Sequence, residues 1–174
     1  MGQTVKRCFD AFEEWTGMTS ATILFDSTVD LFMDDSLFEK VKSKKNIAII
    51  ATTTDGDVFG GFYSVAVTEQ EKEFRDRDVF IFSFESHGRC ETPQMFVLKK
   101  EMEDDAGVEF RKDNTYGRFV VFWAGYGRFF LGNEKSLTYC TGLSRGFQGI
   151  EDTTLTGVER EEFTCCRIVA IQLK

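Results

Sequence analysis

The chain has 174 residues, a length that can bury one hydrophobic core, and 42% of them are apolar, which excludes disorder as the default state. Its formal net charge of −8 disfavours nucleic acid and anionic membrane as partners, with only the short basic runs at 40–45 and 75–77 as candidates for a basic patch. Five cysteines without a Cys-x-x-Cys spacing disfavour a disulfide framework or a structural zinc site.

Nineteen Phe beside a single Pro point to a strand-rich fold with an aromatic core. The chain nevertheless opens on a helix: Val5, Cys8, Phe9 and Phe12 recur at helical spacing and Gly17 is a natural stop, so residues 1–17 read as a packing helix anchored by Trp15. Residues 22–25 are a short apolar strand that runs into a loop at 26–30. A second helix follows, with Ser36 and Glu39 as a capping box and Leu37, Phe38 and Val41 facing inward. Residues 47–52 and 58–67 form a hairpin about the turn at 54–57, where Asp55-Gly56 supplies the positive φ angles of a tight connection. Gly60-Gly61 inside the returning strand marks a bulge or the close approach of another element.

The charged stretch 69–78 reads as a surface excursion. Residues 79–84 are a strand with both faces apolar, so it should be internal. Strand 94–99 belongs near an edge, and the acidic run 101–105 is a solvated loop. A strand at 108–111, a hairpin of 118–124 and 128–131 about Gly125-Tyr126-Gly127, and a short strand at 136–140 come next. After a Gly-rich stretch at 142–149, residues 163–173 alternate with both faces largely apolar, which predicts a central closing strand. Helices do not alternate with strands, so the expected fold is mainly β (α+β): a two-layer antiparallel β-sandwich with flanking helices, residues 1–174 forming one domain.

The chemistry-bearing residues are few. Gly-x-Ser-x-Gly and Gly-x-x-x-x-Gly-Lys-Ser/Thr are both absent, and no cofactor is implied. A Cys–His nucleophile pair would have to use the single histidine, His87, with Cys90. Asp26, Asp30, Asp34 and Asp35 form an acidic constellation that can suit a hard cation. Their spacing is not that of an EF-hand, and turns plus a helix N-terminus account for them. Cys165 and Cys166 alternate faces on the last strand, so at most one points outward. Tyr116, Tyr126 and Phe147, beside Gly-rich turns, are candidates for a carbohydrate or peptide platform. Residues 1–20 lack an apolar h-region and the longest apolar runs are shorter than a membrane span. A cytoplasmic location, with the nucleus as alternative, is therefore expected.

Several segments resemble the TLDc domain family. They are Ile23-Leu24-Phe25-Asp26-Ser27, then Asp55-Gly56-Asp57-Val58-Phe59-Gly60-Gly61-Phe62, then Val79-Phe80-Ile81-Phe82-Ser83-Phe84. Phe129-Phe130-Leu131, then Phe147, Leu155 and Gly157, and the closing strand continue the resemblance, which runs from residue 22 to 174, and the Glu14-Trp15-Thr16-Gly17 lead-in looks like divergent protist members. It implies a two-sheet sandwich without an established catalytic set, tied to protection against oxidative stress and to binding subunits of the vacuolar proton pump (V-ATPase). The shared residues, Asp55, Gly56, Phe59, Gly60, Gly61 and Gly157, look architectural. A protein-interaction domain is thus the expected function. A module for a small ligand or carbohydrate, and an enzyme using Cys or carboxylates, are the alternatives.

Overall fold

The computed structural model describes residues 2–112, 118–132, 138–158 and 162–174. Helix α1 (Gly2–Thr16) leads into β1 (Ala21–Asp26), α2 (Asp34–Val41) and the hairpin β2 (Ile47–Thr53) and β3 (Val58–Tyr63). Strands β4 (Lys72–Arg75), β5 (Phe80–Glu85), β6 (Gln94–Val97) and β7 (Ala106–Phe110) follow. The chain then forms β8 (Arg118–Ala124), β9 (Gly127–Gly132), β10 (Cys140–Thr141), the single turn α3 (Leu143–Gly146) and β11 (Cys165–Leu173). Among the described residues the strands make two antiparallel sheets, ordered β1-β11-β2-β3-β5-β6 and β10-β9-β8-β7-β4. The sandwich expected from the sequence is therefore the fold. The two strands read as internal, β5 and β11, each lie between two neighbours, and β6 is an edge.

Alternation along each strand sends one row of side chains into the space between the sheets, where Ile49, Phe59, Ile81, Phe96, Phe122, Phe129 and Ile168 are buried together. The opposite face of the six-stranded sheet is also apolar, and α1 covers it. Phe12 is buried and meets Phe82 and Phe84 edge-on at 5.1 and 5.3 Å, while Trp15 stacks on Phe84 at 5.7 Å. Geometries of this kind add about 0.5–1.5 kcal/mol per ring pair to the burial itself. Gly17 adopts φ 71° and donates its N–H to Glu13 O at 2.8 Å, closing the helix with a left-handed residue as its position suggested.

The glycine pair is a point of close approach. A β-carbon on Gly60 would lie 2.0 Å from Ile49 O, and one on Gly61 would lie 2.6 Å from the Phe122 ring in the facing sheet. The β-bulge sits just before the pair, where Val58 and Phe59 shift register against β5.

Four local expectations are corrected. Helix α2 begins two residues before Ser36: its N-cap is Met33, in extended conformation, and no side chain caps it, so Ser36 lies inside the helix and the Ser36–Glu39 box does not form. Strand β3 ends at Tyr63 instead of running to residue 67, because buried Asp76 captures Ser64, accepting its N–H at 2.5 Å and its hydroxyl at 2.8 Å, and turns the chain out. The charged stretch read as an excursion contains β4, which pairs with β7 from Lys72↔Phe110 to Arg75↔Gly107. Only Phe74 of β4 packs inward, and charge on the rest suits an edge strand exposed to solvent. Phe147 is fully buried, bridged to β6 through Leu98, so it cannot serve a surface platform. Tyr126 is exposed alone at the β8–β9 turn, and Tyr116 lies outside the described residues.

Candidate functional site

The Asp55-Gly56 turn does more than reverse the chain. Gly56, at φ 91°, donates its N–H to Thr53 O, and Asp57 donates its N–H to Thr53 Oγ1 at 3.1 Å. This geometry drives the Asp57 carboxylate inward, where it is 3% exposed. There it meets the loop after β5. His87 Nδ1 lies 2.7 Å from Asp57 Oδ1, and Arg89 Nη2 donates to the same oxygen at 2.5 Å. A carboxylate only accepts, so His87 carries its proton on Nδ1 in this contact. His87 itself sits at φ 51°, a left-handed backbone held by Glu85 Oε1, which accepts the N–H groups of Ser86 and His87.

Arg89 extends the junction to a third loop. Its Nε donates to Thr154 O at 3.1 Å and its Nη2 to Leu155 O at 2.8 Å. Gly157, at φ 80°, lies beside the guanidinium, where a β-carbon would stand 3.5 Å from Nη1, in ordinary contact. Gly56, Asp57 and Gly157 thus converge on one ion-paired knot that fastens three loops at one end of the six-stranded sheet. The Cys–His pair does not form there. Cys90 Sγ lies 3.3 Å from Ser86 Oγ, while His87 is engaged by Asp57.

The acidic constellation is dispersed among other partners. Asp26 is gripped by Arg167, whose Nε and Nη2 donate at 3.1 and 2.5 Å, and its Oδ1 also accepts the N–H and hydroxyl of Thr28. Asp30 accepts the Asp26 N–H and pairs with Lys40 at 3.2 Å. Asp35 is exposed in α2, and the side chain of Asp34 lies outside the described atoms. No group of three metal-ligating side chains comes together among the described residues. Members of the basic runs are similarly engaged: Lys40 pairs with Asp30, Lys42 with Glu39, and Arg77 with Asp104, whose main-chain oxygen also accepts from Arg75.

The hydrogen bonds from Arg167, against an opposing effect of burial, lower the Asp26 pKa from 3.8 to about 2. A carboxyl depressed in the folded state stabilises the fold fully above the unfolded value and loses that contribution as pH falls from about 4 through 2. Screening on the partly exposed Arg167 reduces the worth of this pair to about 1–2 kcal/mol. Urea midpoints of the wild type are expected to drop more steeply over that window than those of Asp26→Asn. Parallel curves would refute this role for the pair.

The thiols divide by face. Cys165 is buried and burial pushes its pKa up to about 12, while Cys140, also buried, is raised beyond the usual thiol range for the same reason. Cys166 is exposed, its Sγ 3.4 Å from the carbonyl oxygens of Thr52 and Thr53. One outward and one inward thiol is what alternation on the strand required.

A feature that no sequence motif announced lies between β1 and α2. Val29, Leu31 and Met33 are 85%, 72% and 49% exposed, and Ile23 on the edge strand β1 is 67% exposed. The loop carrying them is folded. Asp26 O accepts the N–H groups of Val29 and Asp30 at 2.9 and 2.8 Å, Ser27 N–H donates to Ile168 O, and Phe32 packs edge-on against Phe119. Phe32 thus pins the loop while its apolar neighbours face water. The signal in the sequence was an alternation, Val29, Leu31, Met33, in a segment with no strand for it to pair with.

A β-sandwich with a covering helix and a carboxylate-centred knot of loops defines a scaffold that presents loops. A comparison with protein families identifies which scaffold: the TLDc domain matches residues 3–106. The chain belongs to the TLDc domain family. The match takes in α1, which the sequence resemblance began after, as well as the β2–β3 hairpin and β5. No curated protein matches the chain.

Proposed function

We propose that the chain acts without catalysis, by binding a protein through the loop between β1 and α2, and that the partner is a subunit of the vacuolar proton pump (V-ATPase), in the setting of oxidative-stress protection associated with TLDc proteins. The cytoplasm, where that pump exposes its peripheral subunits, is the corresponding location. The observation that carries this reading is the outward set Val29, Leu31 and Met33 on a hydrogen-bonded loop. Apolar side chains held in water on a preorganised backbone cost little backbone entropy when a partner covers them, and they gain the free energy of burial.

Binding of the chain to the purified pump, followed by interferometry, tests the reading. A Val29→Asp/Leu31→Asp variant is expected to weaken binding by about thirtyfold or more, the scale of removing a central apolar anchor from an interface. Its melting temperature should stay close to that of the wild type, because neither side chain is packed. Absence of binding by the wild type would remove the pump as partner, and undiminished binding by the variant would remove the loop as the contact surface.

A further inference from the structure

At the end of the six-stranded sheet opposite the knot, α1 stops short and leaves a groove. Side chains on the outer face form a continuous cross-strand row, Ile171–Ala48–Phe62–Phe80–Val97, set by the register of β11, β2, β3, β5 and β6. Phe62 and Phe80 stack at 4.8 Å and make the floor. Trp15 and Met18 at the end of α1 form one wall, and Met95 and Val97 of the edge strand form the other. The space between them is about 580 Å³, within the range of binding sites, and it is open to solvent along one side. Val97 is 41% exposed, whereas its row partner Phe80 is buried, so the apolar row runs out into water at this edge.

The charged rim is acidic on balance. Asp78 and Glu103 line the groove together with Arg77. The Arg77 charge is taken up by Asp104, and the rim continues into the acidic run at 101–105. Among the described residues the Asp78 carboxylate receives a long contact, 3.3 Å, from the Ser64 hydroxyl, which is committed to Asp76 at 2.8 Å. An aromatic floor between thioether-bearing walls, beside carboxylates lightly engaged among the described residues, is complementary to an apolar group flanked by positive charge. An open trough along a strand edge accommodates a length of polypeptide better than a small molecule, which needs enclosure.

We infer that this groove is a second docking site, for a short basic segment of a partner protein that inserts an apolar side chain over Phe62 and Phe80 and sets a Lys or Arg against Asp78 and Glu103. The site is distinct from the β1–α2 loop, which lies at the other end of the same sheet. The apolar anchor supplies affinity, and the rim charges select the sign of the partner and speed its arrival.

A displayed library of random short peptides, selected on the full chain, tests this. Enriched peptides are expected to pair an apolar residue with Lys or Arg. Nuclear magnetic resonance titration with the best of them should shift the Trp15 indole, Val97 and Gln148 signals. The Asp78→Lys/Glu103→Lys variant, altered only at exposed positions, should bind that peptide at least about tenfold more weakly, and added salt should weaken wild-type binding. It should retain pump binding, while Val29→Asp/Leu31→Asp should retain the peptide, so failure of either site is read separately. No enrichment, acidic consensus sequences, or shifts confined to another face would each overturn the inference.

Discussion

Gly60→Ala is expected to destabilise the fold by more than about 3 kcal/mol, enough to lower the melting temperature by about 6–12 °C or to prevent soluble expression. The added methyl would stand 2.0 Å from Ile49 O and 2.7 Å from the Phe82 ring. Its first obstacle is main chain in the adjacent strand, so relief requires β2 and β3 to part in the middle of the sheet. Overpacking that forces backbone shifts exceeds the usual penalty of a crowded side chain. Gly61→Ala meets a different obstacle, the Phe122 ring at 2.6 Å, which is a side chain. A smaller residue at that position should therefore recover part of the loss: Gly61→Ala/Phe122→Leu is expected to be more stable than the sum of its single changes. Gly60→Ala should gain nothing from Phe82→Leu, since the carbonyl remains. Urea denaturation of the four single and two double variants distinguishes these cases. A Gly60→Ala protein within about 1 kcal/mol of the wild type would show that the strands can part cheaply and that the contact is not what fixes this glycine.

What could be read in the sequence follows from the range of the interaction responsible. The β2–β3 hairpin was legible because its turn chemistry and its alternation are local, although of Asp55-Gly56 only Gly56 takes the positive φ expected of both. Strands β5 and β11 were legible as interior because apolar residues occupy both of their faces. Strand β4 was hidden because a charged edge strand needs only one inward residue, Phe74 in this case, and one residue makes no period. Phe147 was misread for a tertiary reason. Gly146 lies against Ala124 of β8, where a β-carbon would be 2.6 Å from Ala124 Cβ and from its carbonyl oxygen, and this contact turns the next residue into the core. Among the motif residues, Gly56 showed its turn but not its proximity to the His87 ring, and Gly157 showed no role until Arg89 was placed beneath it. The knot joins positions 57, 89 and 154–155, and no local pattern relates residues so far apart.

The two proposed surfaces share strands whose register is pinned by the same interior contacts, yet the loop surface is set near Asp26 and Arg167 and the groove near Asp76 and Ser64. Each surface thus has its own polar anchor beside it. Changes in exposed residues can retune one partner contact while the sandwich and the other contact persist, which is how one fold can carry many binding specificities.

Asp57→Ala is expected to cost about 2–4 kcal/mol and to loosen three loops together. The carboxylate is 3% exposed and accepts from both His87 and Arg89, so its removal deletes two hydrogen bonds, one of them from a permanent charge. Among the described residues Arg89 would keep the carbonyl oxygens of Thr154 and Leu155 as partners. Removing one member of a buried pair typically costs about 3–5 kcal/mol. The expected cost is lower for Asp57 because the Arg89 and His87 side chains are 27% and 53% exposed and can recover some hydration. Arg89→Ala should cost a similar amount, for it strands the buried carboxylate with His87 alone. The double variant is then expected to be more stable than the sum of the two by about 1.5 kcal/mol or more, because neither orphaned charge remains. Hydrogen exchange should rise in 54–57, 86–91 and 151–158 of Asp57→Ala while β2 and β5 keep their protection, since the knot fastens loops and does not carry the sheet. Additive energies in the cycle, or exchange that rises evenly through the sheet, would show that Asp57 acts only as a turn residue and that Gly56 beside His87 and Gly157 beside Arg89 adjoin the knot without consequence.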